Sequence, residues 1–394
     1  MELFWLEHKK LWRKKIVKIC VLLCFVYCVI FGSILLFQWF GFGSSDDYTS
    51  AFGNNFDGYT VIKDSQEYAL SFGGELTDET LQKIVSDYQQ MEADGVEEEL
   101  EKTDWQIVNS WLGTLYPELR DTSNYKTMIS YVDPDKLTGF YERRQQVLDE
   151  FLEVSGQVGA EKEFLHQIER KVEKPFHYEW VEGWSTLLGS MVADLGVVMA
   201  LFLGIVLSSL FAGEWHDNTS TLVLTTRNGW GKIALAKILT GLAFTVELFA
   251  LLAVSNVISQ LFFMGTAGWD MPIQNIKLIA VAPMNMLQAE IYEYAFVLLG
   301  AIGFAGIVMF ISAAVKNNVL TLLLSLAVVY GPMMIAEYLP YEMQKALDLI
   351  PLVGSSTDIF RTNTFRIFGK LIWSPYLLIT IPVLIGILCM PFAI

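Results

Sequence analysis

Long apolar runs alternate with polar stretches along this chain, and their spacing alone predicts a membrane protein. Runs near or above the ~20 residues that a spanning helix needs begin near residues 16, 186, 233, 294, 319 and 374. They predict six spans, at 15–41, 184–212, 232–264, 291–315, 319–337 and 374–394. The third run is long enough to tilt or protrude. Between the first and second lies residues 42–183, patterned like a soluble domain of about 140 residues and large enough to bury its own core. Its pattern is mainly helical. In "GELTDETLQKIVSDYQQM", Thr77 can cap a helix whose first turn carries Asp78 and Glu79 and whose Leu81, Ile84, Val85 and Tyr88 recur at helical spacing. A second helix is predicted from about Pro134 through "YERRQQVLDEFLEV", and a third through "AEKEFLHQIERKV", ending before Pro175. "PFHYEWVEGW" reads as an extended return to the membrane, with Tyr178, Trp180 and Trp184 at headgroup level.

Charge gives this pattern an orientation. Lys9, Lys10, Arg13, Lys14, Lys15 and Lys18 crowd the start of the first span, which keeps the N-terminus in the cytoplasm. Residues 1–14 read either as an amphipathic helix lying in the inner interface or as a plain basic anchor. A cleaved signal peptide is the weaker reading, because the apolar run from Ile16 to Phe40 is too long and lacks a small-residue cleavage site. The net charge of −16 is concentrated. Residues 42–183 hold roughly thirty acids against about a dozen bases, and orientation places them outside. Parity also places the 265–290 segment and the 338–373 loop outside, although Lys345, Arg361, Arg366 and Lys370 fit that side poorly.

The composition, 53% hydrophobic with a mean hydropathy of +0.40, agrees with membrane residence. Catalytic chemistry is missing from the sequence. There is no GxxxxGK[ST] phosphate loop and no HExxH, and the four histidines are scattered. Cys20, Cys24 and Cys28 share a face of the first span, with no His or carboxylate beside them to suggest a metal. No cysteine falls in 42–183, so no disulfide is expected there.

The polar island at 213–231, "GEWHDNTSTLVLTTRNGWG", is more informative. Charge places it in the cytoplasm. Residues from Glu214 to about Thr225 can form a short helix along the membrane surface, with Leu222, Val223 and Leu224 as an apolar ridge. Arg227 suits its C-terminal end, and Asn228 and Gly229 supply a turn. Such a ridge either seats in a protein groove or lies on lipid headgroups.

"FAGEWHDNTSTLVLTTRNGWGKIALAKIL" resembles the first cytoplasmic loop of ABC-2 type transporter permeases. Glu214 matches the acidic position, with Asp217 among the polar residues that follow. Thr219 or Thr221 matches the Thr, Leu222 to Leu224 the aliphatic patch, Arg227 the basic position and Lys237 the Lys of the following span. The amphipathic start, the large domain between spans one and two, and "PIQNIKLI" are also similar to permeases common in Gram-positive bacteria. "EWHDNTST" is more polar than the family pattern. The resemblance implies an all-α membrane fold of six transmembrane helices, ABC-2 permease type, with a mainly helical extracellular domain inserted between the first two. It also implies a coupling helix that docks on a separate ATP-binding subunit, present in two copies and carrying the ATP and Mg. A second permease chain, identical or different, would complete the complex in the bacterial plasma membrane. The chain itself would bind no cofactor or metal, catalyse nothing and contact lipid but no nucleic acid. An exporter of an amphiphile, peptide, antibiotic or lipid-like molecule is the leading expectation. The alternative is an envelope-ligand sensor or resistance module that works without bulk transport.

Two acids interrupt the spans. Asp194 and Glu247 are candidates for lining a pathway or drawing in a cation, because an intramembrane carboxylate is costly unless it faces protein or water. Counting along the helices puts both in the outer half of the membrane. A water-exposed vestibule is the plainer explanation. Gly300, Gly303 and Gly306, with Ala301 and Ala305, form a small-residue face on span four suited to close packing within the bundle.

Overall fold

A computed structural model describes residues 2–39, 62–63, 66–67, 73–95, 105–123, 125–188, 192–216, 229–354 and 362–393. The described chain is mostly helical. At the N-terminus, α1 (Glu2–Arg13) and α2 (Lys15–Trp39) are separated by a bend at Lys14. A lobe follows, made of β1 (Gly74–Leu76), α3 (Asp78–Ala93), α4 (Trp105–Leu115), α5 (Phe140–Val154), α6 (Ala160–Glu169) and β2 (Phe176–Tyr178). The bundle then comprises α7 (Glu182–Thr186), α8 (Val192–Ser208), α9 (Ala212–His216), α10 (Gly229–Met264), α11 (Met286–Val315) and α12 (Asn318–Ile335). It is completed by α13 (Tyr341–Leu347), a hairpin of β3 (Thr364–Ile367) and β4 (Lys370–Trp373), and α14 (Ser374–Cys389).

Five stretches of described helix are long and apolar enough to cross a membrane: Asp194–Trp215, Gly231–Met264, Met286–Val315, Asn318–Tyr338 and Ser374–Phe392. Side-chain contacts fix their relative directions. Tyr292 hydrogen-bonds to the carbonyl of Pro375, and Gly306 meets Gly386, so α11 and α14 run parallel. Ser312 bonds Ser208 while Gly196 and Gly300 both face Leu352, so α8 runs the same way as α11. Gly241 faces Met309 while Phe249 meets Tyr294, and Gly204 faces Leu326 while Tyr330 bonds the carbonyl of Val197. Hence α10 and α12 run oppositely.

The glycine face of α11 packs inside the bundle. A Cβ at Gly306 would stand 2.5 Å from the Gly386 carbonyl oxygen, and one at Gly303 would collide with the Pro382 carbonyl. These small residues let the α11 and α14 backbones touch.

Local signals in the lobe formed as the sequence suggests. The Thr77 side chain accepts from the Thr80 amide, and Leu81, Ile84, Val85 and Tyr88 are the buried face of α3. The second predicted helix starts at Phe140 instead of Pro134, because Gly139 takes a left-handed φ of +71° and residues 134–136 form a separate 3-10 turn capped by Asp133. The Phe176–Tyr178 return is a strand, paired antiparallel with β1.

Tyr178, Trp180 and Trp184 are enclosed by protein, at 3%, 1% and 5% exposure, and do not present their rings to a surface. Trp180 Nε1 donates to the Met264 carbonyl at 3.1 Å, and Trp184 Nε1 to that of Thr266 at 3.3 Å. An indole buries much apolar surface and still needs a partner for its N–H, which the frayed end of α10 supplies. The 265–290 segment likewise belongs to the lobe core. Met271, Ile273, Ala280, Val281 and Ala282 are buried there together with Trp111, Phe140 and Leu148. Trp111 Nε1 donates to the Asn275 carbonyl, and Arg144 donates to those of Leu278 and Ala280.

The 338–373 loop reaches the same lobe. Thr364 Oγ1 donates to Gln157 Oε1 at 2.8 Å, and Arg366 pairs with Glu161 at 2.5 Å. Lys345 pairs with Glu342. Two of the bases that fitted this loop poorly are thus neutralised by acids.

Buried Arg144 also pairs with Glu169 at 2.6 Å, and Lys174 reaches the same oxygen at 2.8 Å. Burial would raise the Glu169 carboxyl, but hydrogen bonds from Lys174 and Arg144 hold it below the ordinary carboxylate range. Its stabilisation is complete above the ordinary value of ~4.3 and is lost as the pH falls through the lower folded-state value. Glu169→Gln should therefore cost about 3–5 kcal/mol near neutral pH by stranding Arg144. The difference from the parent chain should shrink in acid, as read from thermal unfolding in mild detergent. In the bundle, Gly306→Ala should cost about 1–3 kcal/mol by overpacking; an unchanged melting temperature would mean that α11 and α14 do not touch there.

Candidate functional site

Residues 217–228 of the polar island, with Asp217, Thr219, Thr221, Leu222, Val223, Leu224 and Arg227, lie outside the described residues. Both of its roots are described, and they form the most elaborate polar junction of the bundle. After Ser208 the helix yields to a turn at residues 209–211 before α9. The turn's backbone groups are taken up by other elements. Ser312 Oγ on α11 accepts from the amides of Phe211 and Ala212 at 3.2 and 3.0 Å, and donates to the Ser208 carbonyl at 2.7 Å. Lys237 Nζ on α10 donates to the Leu210 carbonyl at 2.9 Å. Lys14 Nζ donates to Ser209 Oγ at 2.9 Å.

At the centre, Lys237 Nζ lies 2.7 Å from Glu214 Oε1, with the two side chains 1% and 6% exposed. Lys10 of α1 adds a second ammonium 3.4 Å from the same oxygen. Lys237 also sits over the Phe211 ring at 5.1 Å, and Lys316, just past α11, over Trp215 at 4.0 Å. Four cations thus converge on the point where the chain leaves the bundle. Glu214 and Lys237 are brought together here, facing each other. Their enclosed positions suit them to fixing the island's two roots.

Glu247 on α10 meets the N-terminal helix. Its carboxylate accepts from Trp12 Nε1 at 3.0 Å and lies 3.1 Å from His8 Nε2, both on α1. Trp12 also packs edge-on against Phe244, at 5.8 Å between centroids. At 36 residues, α10 is about 54 Å long, so part of it must lie beyond a ~30 Å core. Glu247 sits on the stretch against which α1 packs. Asp194 is half-buried in the first turn of α8 and has no described contact with Glu247.

Two acids escaped sequence reasoning. A capping box at Asn285 and Gln288 starts α11 at Met286, five residues before the predicted span, so Glu290 and Glu293 lie inside the helix at 4% and 0% exposure. The signal was present as "NMLQ", an Asn followed three residues later by Gln. A cavity of about 370 Å³ lies between the lobe and the 270–288 segment, lined by Lys171, Glu173, His177, Asp270, Gln274 and Gln288 among others.

The buried ion pair makes the junction sensitive to single charge deletions. Lys237→Met should destabilise by about 3–5 kcal/mol, since it leaves Glu214 buried without its closest partner. Combining it with Glu214→Leu should restore much of the loss; simple additivity in thermal unfolding would contradict the pairing. The search for relatives was negative throughout: no family model, no curated protein and no solved structure matches the chain.

Proposed function

We propose that this chain is the membrane-spanning permease subunit of an ATP-driven ABC transporter of the ABC-2 type. In this reading α2 is the first of six spans, the lobe is extracellular, and the island at 213–231 is the coupling segment for a separate ATP-binding subunit. The observation that carries it is the buried Glu214–Lys237 pair at the island's roots. A coupling loop on a slack tether would deform under load, whereas this one is tied by hydrogen bonds and ion pairs to α1, α8, α10 and α11. A push on residues 217–228 would therefore be delivered to four helices. The cluster of Lys10, Lys14, Lys237 and Lys316 also suits a cytoplasmic face.

Apolar residues on α12 and α10, such as Leu323, Met334, Val254 and Phe262, are exposed in the single chain, as lipid or a second permease chain would require. Export of an amphiphilic, peptide, antibiotic or lipid-like substrate is the favoured activity. The cavity between the lobe and the 270–288 segment favours a second reading, in which the lobe senses an envelope ligand and ATP drives conformational work without bulk flux.

Purification in mild detergent tests the first reading. The native chain should carry an ATP-binding subunit with it, and the Leu222→Asp/Leu224→Asp double variant should lose at least tenfold of that association, the equivalent of ~1.4 kcal/mol. Undiminished association would remove the island from the interface. ATP-dependent uptake into inverted vesicles separates export from sensing.

A further inference from the structure

Glu290 and Glu293 stand three positions apart on α11 and so share one face of the helix. No carboxyl oxygen of either has a hydrogen-bond partner. Elsewhere in the same bundle a buried carboxyl is met by a cation: Glu214 has the Lys237 ammonium at 2.7 Å. No such partner faces this pair among the described residues. The Tyr294 hydroxyl lies within interacting range of Glu290 and of Asn256 on α10, but in hydrogen-bond geometry with neither. The Tyr292 hydroxyl is engaged by the Pro375 carbonyl. The Lys277 ammonium reaches Glu293 through its field, without an ion pair. Other titratable groups near this end of α11 are Lys171, Glu173, His177 and Asp270, which line a cavity shared with Asn285 and Gln288, and Glu182 on α7, Asp194 on α8 and Tyr376 on α14; among the described residues none of them pairs with Glu290 or Glu293.

Two ionised carboxylates side by side, enclosed and without donors, would face both desolvation and mutual repulsion. A proton on each carboxyl removes both penalties and is the ligand that needs the least space. We propose that Glu290 and Glu293 form a proton-binding site at the lobe end of α11, each carrying a proton in the resting protein. When movement between α10 and α11 admits water, each O–H bond breaks, the protons pass to water and two hydrated carboxylates remain. Intramembrane acids that face protein commonly mark such relays. The site does not depend on the permease assignment, since it rests on the packing of this chain alone.

Infrared difference spectroscopy of the full chain in vesicles near neutral pH tests it, because it reads protonation without requiring a reagent to reach the site. Subtracting the Glu290→Gln/Glu293→Gln spectrum from that of the parent should reveal the carbonyl stretch of protonated carboxylic acids. Each single Gln variant should remove about half of the band. Because Gln has the shape of a neutral acid, the single variants should melt close to the parent, which keeps the test usable if the double variant folds poorly. Carboxylate stretches in place of the carbonyl band would overturn the proposal. So would replacement of that band by carboxylate stretches on adding Na⁺, K⁺, Mg²⁺ or Ca²⁺, which would identify a metal site instead.

Discussion

The buried contact between Glu214 and Lys237 ties α9 to α10 at the point where the chain leaves the bundle. A desolvated ion pair is costly to create, and it persists only where further hydrogen bonds and good geometry offset that cost. Here Leu210 and Lys10 provide them, and Ser312 and Lys14 extend the network to the adjacent turn. The network converts a helix break, which would leave Phe211 and Ala212 with unanswered amides, into a joint between four helices. Removing either charge undermines the joint as a whole.

The opposite end of the bundle is tied by different means. The indoles of Trp180 and Trp184 close over the end of α10, and the 268–288 segment passes through the lobe's own core before α11 begins. Gly268 permits this approach, since its φ of +77° and the adjacent Trp180 carbonyl leave no room for a side chain. The β3–β4 hairpin adds a third connection through Arg366 and Glu161. The lobe is thus fastened to the ends of α10, α11 and α14. A change in their relative positions has to be shared with the lobe, and a ligand bound at the lobe would bias the same helices.

What could be read from the sequence was local. The Thr77 cap and the buried face of α3 depend on residues within two turns, and the five apolar helices depend on composition over a single run. The glycines of α11 also announced close packing. What escaped was the choice of partner. Glu214 and Lys237 were both singled out, but nothing in a linear pattern indicates that they meet each other. Glu247 was placed by counting from an assumed membrane boundary, and its contacts with His8 and Trp12 depend on where α1 folds back. Aromatic residues near a predicted boundary suit headgroups and protein cores alike, so Trp180 and Trp184 could be resolved only by the fold. Glu290 falls just outside a span drawn to begin five residues late, and Glu293 at the start of that span has no feature in the sequence that sets it apart.

In the proposed reading, residues 222–224, held by these roots, press against a protein. A photo-crosslinking amino acid in place of Val223, activated in native membranes, tests it most directly. The account predicts one dominant adduct to a protein carrying a GxxxxGK[ST] phosphate loop. Adducts confined to lipid would contradict it and would leave the island resting on the membrane surface.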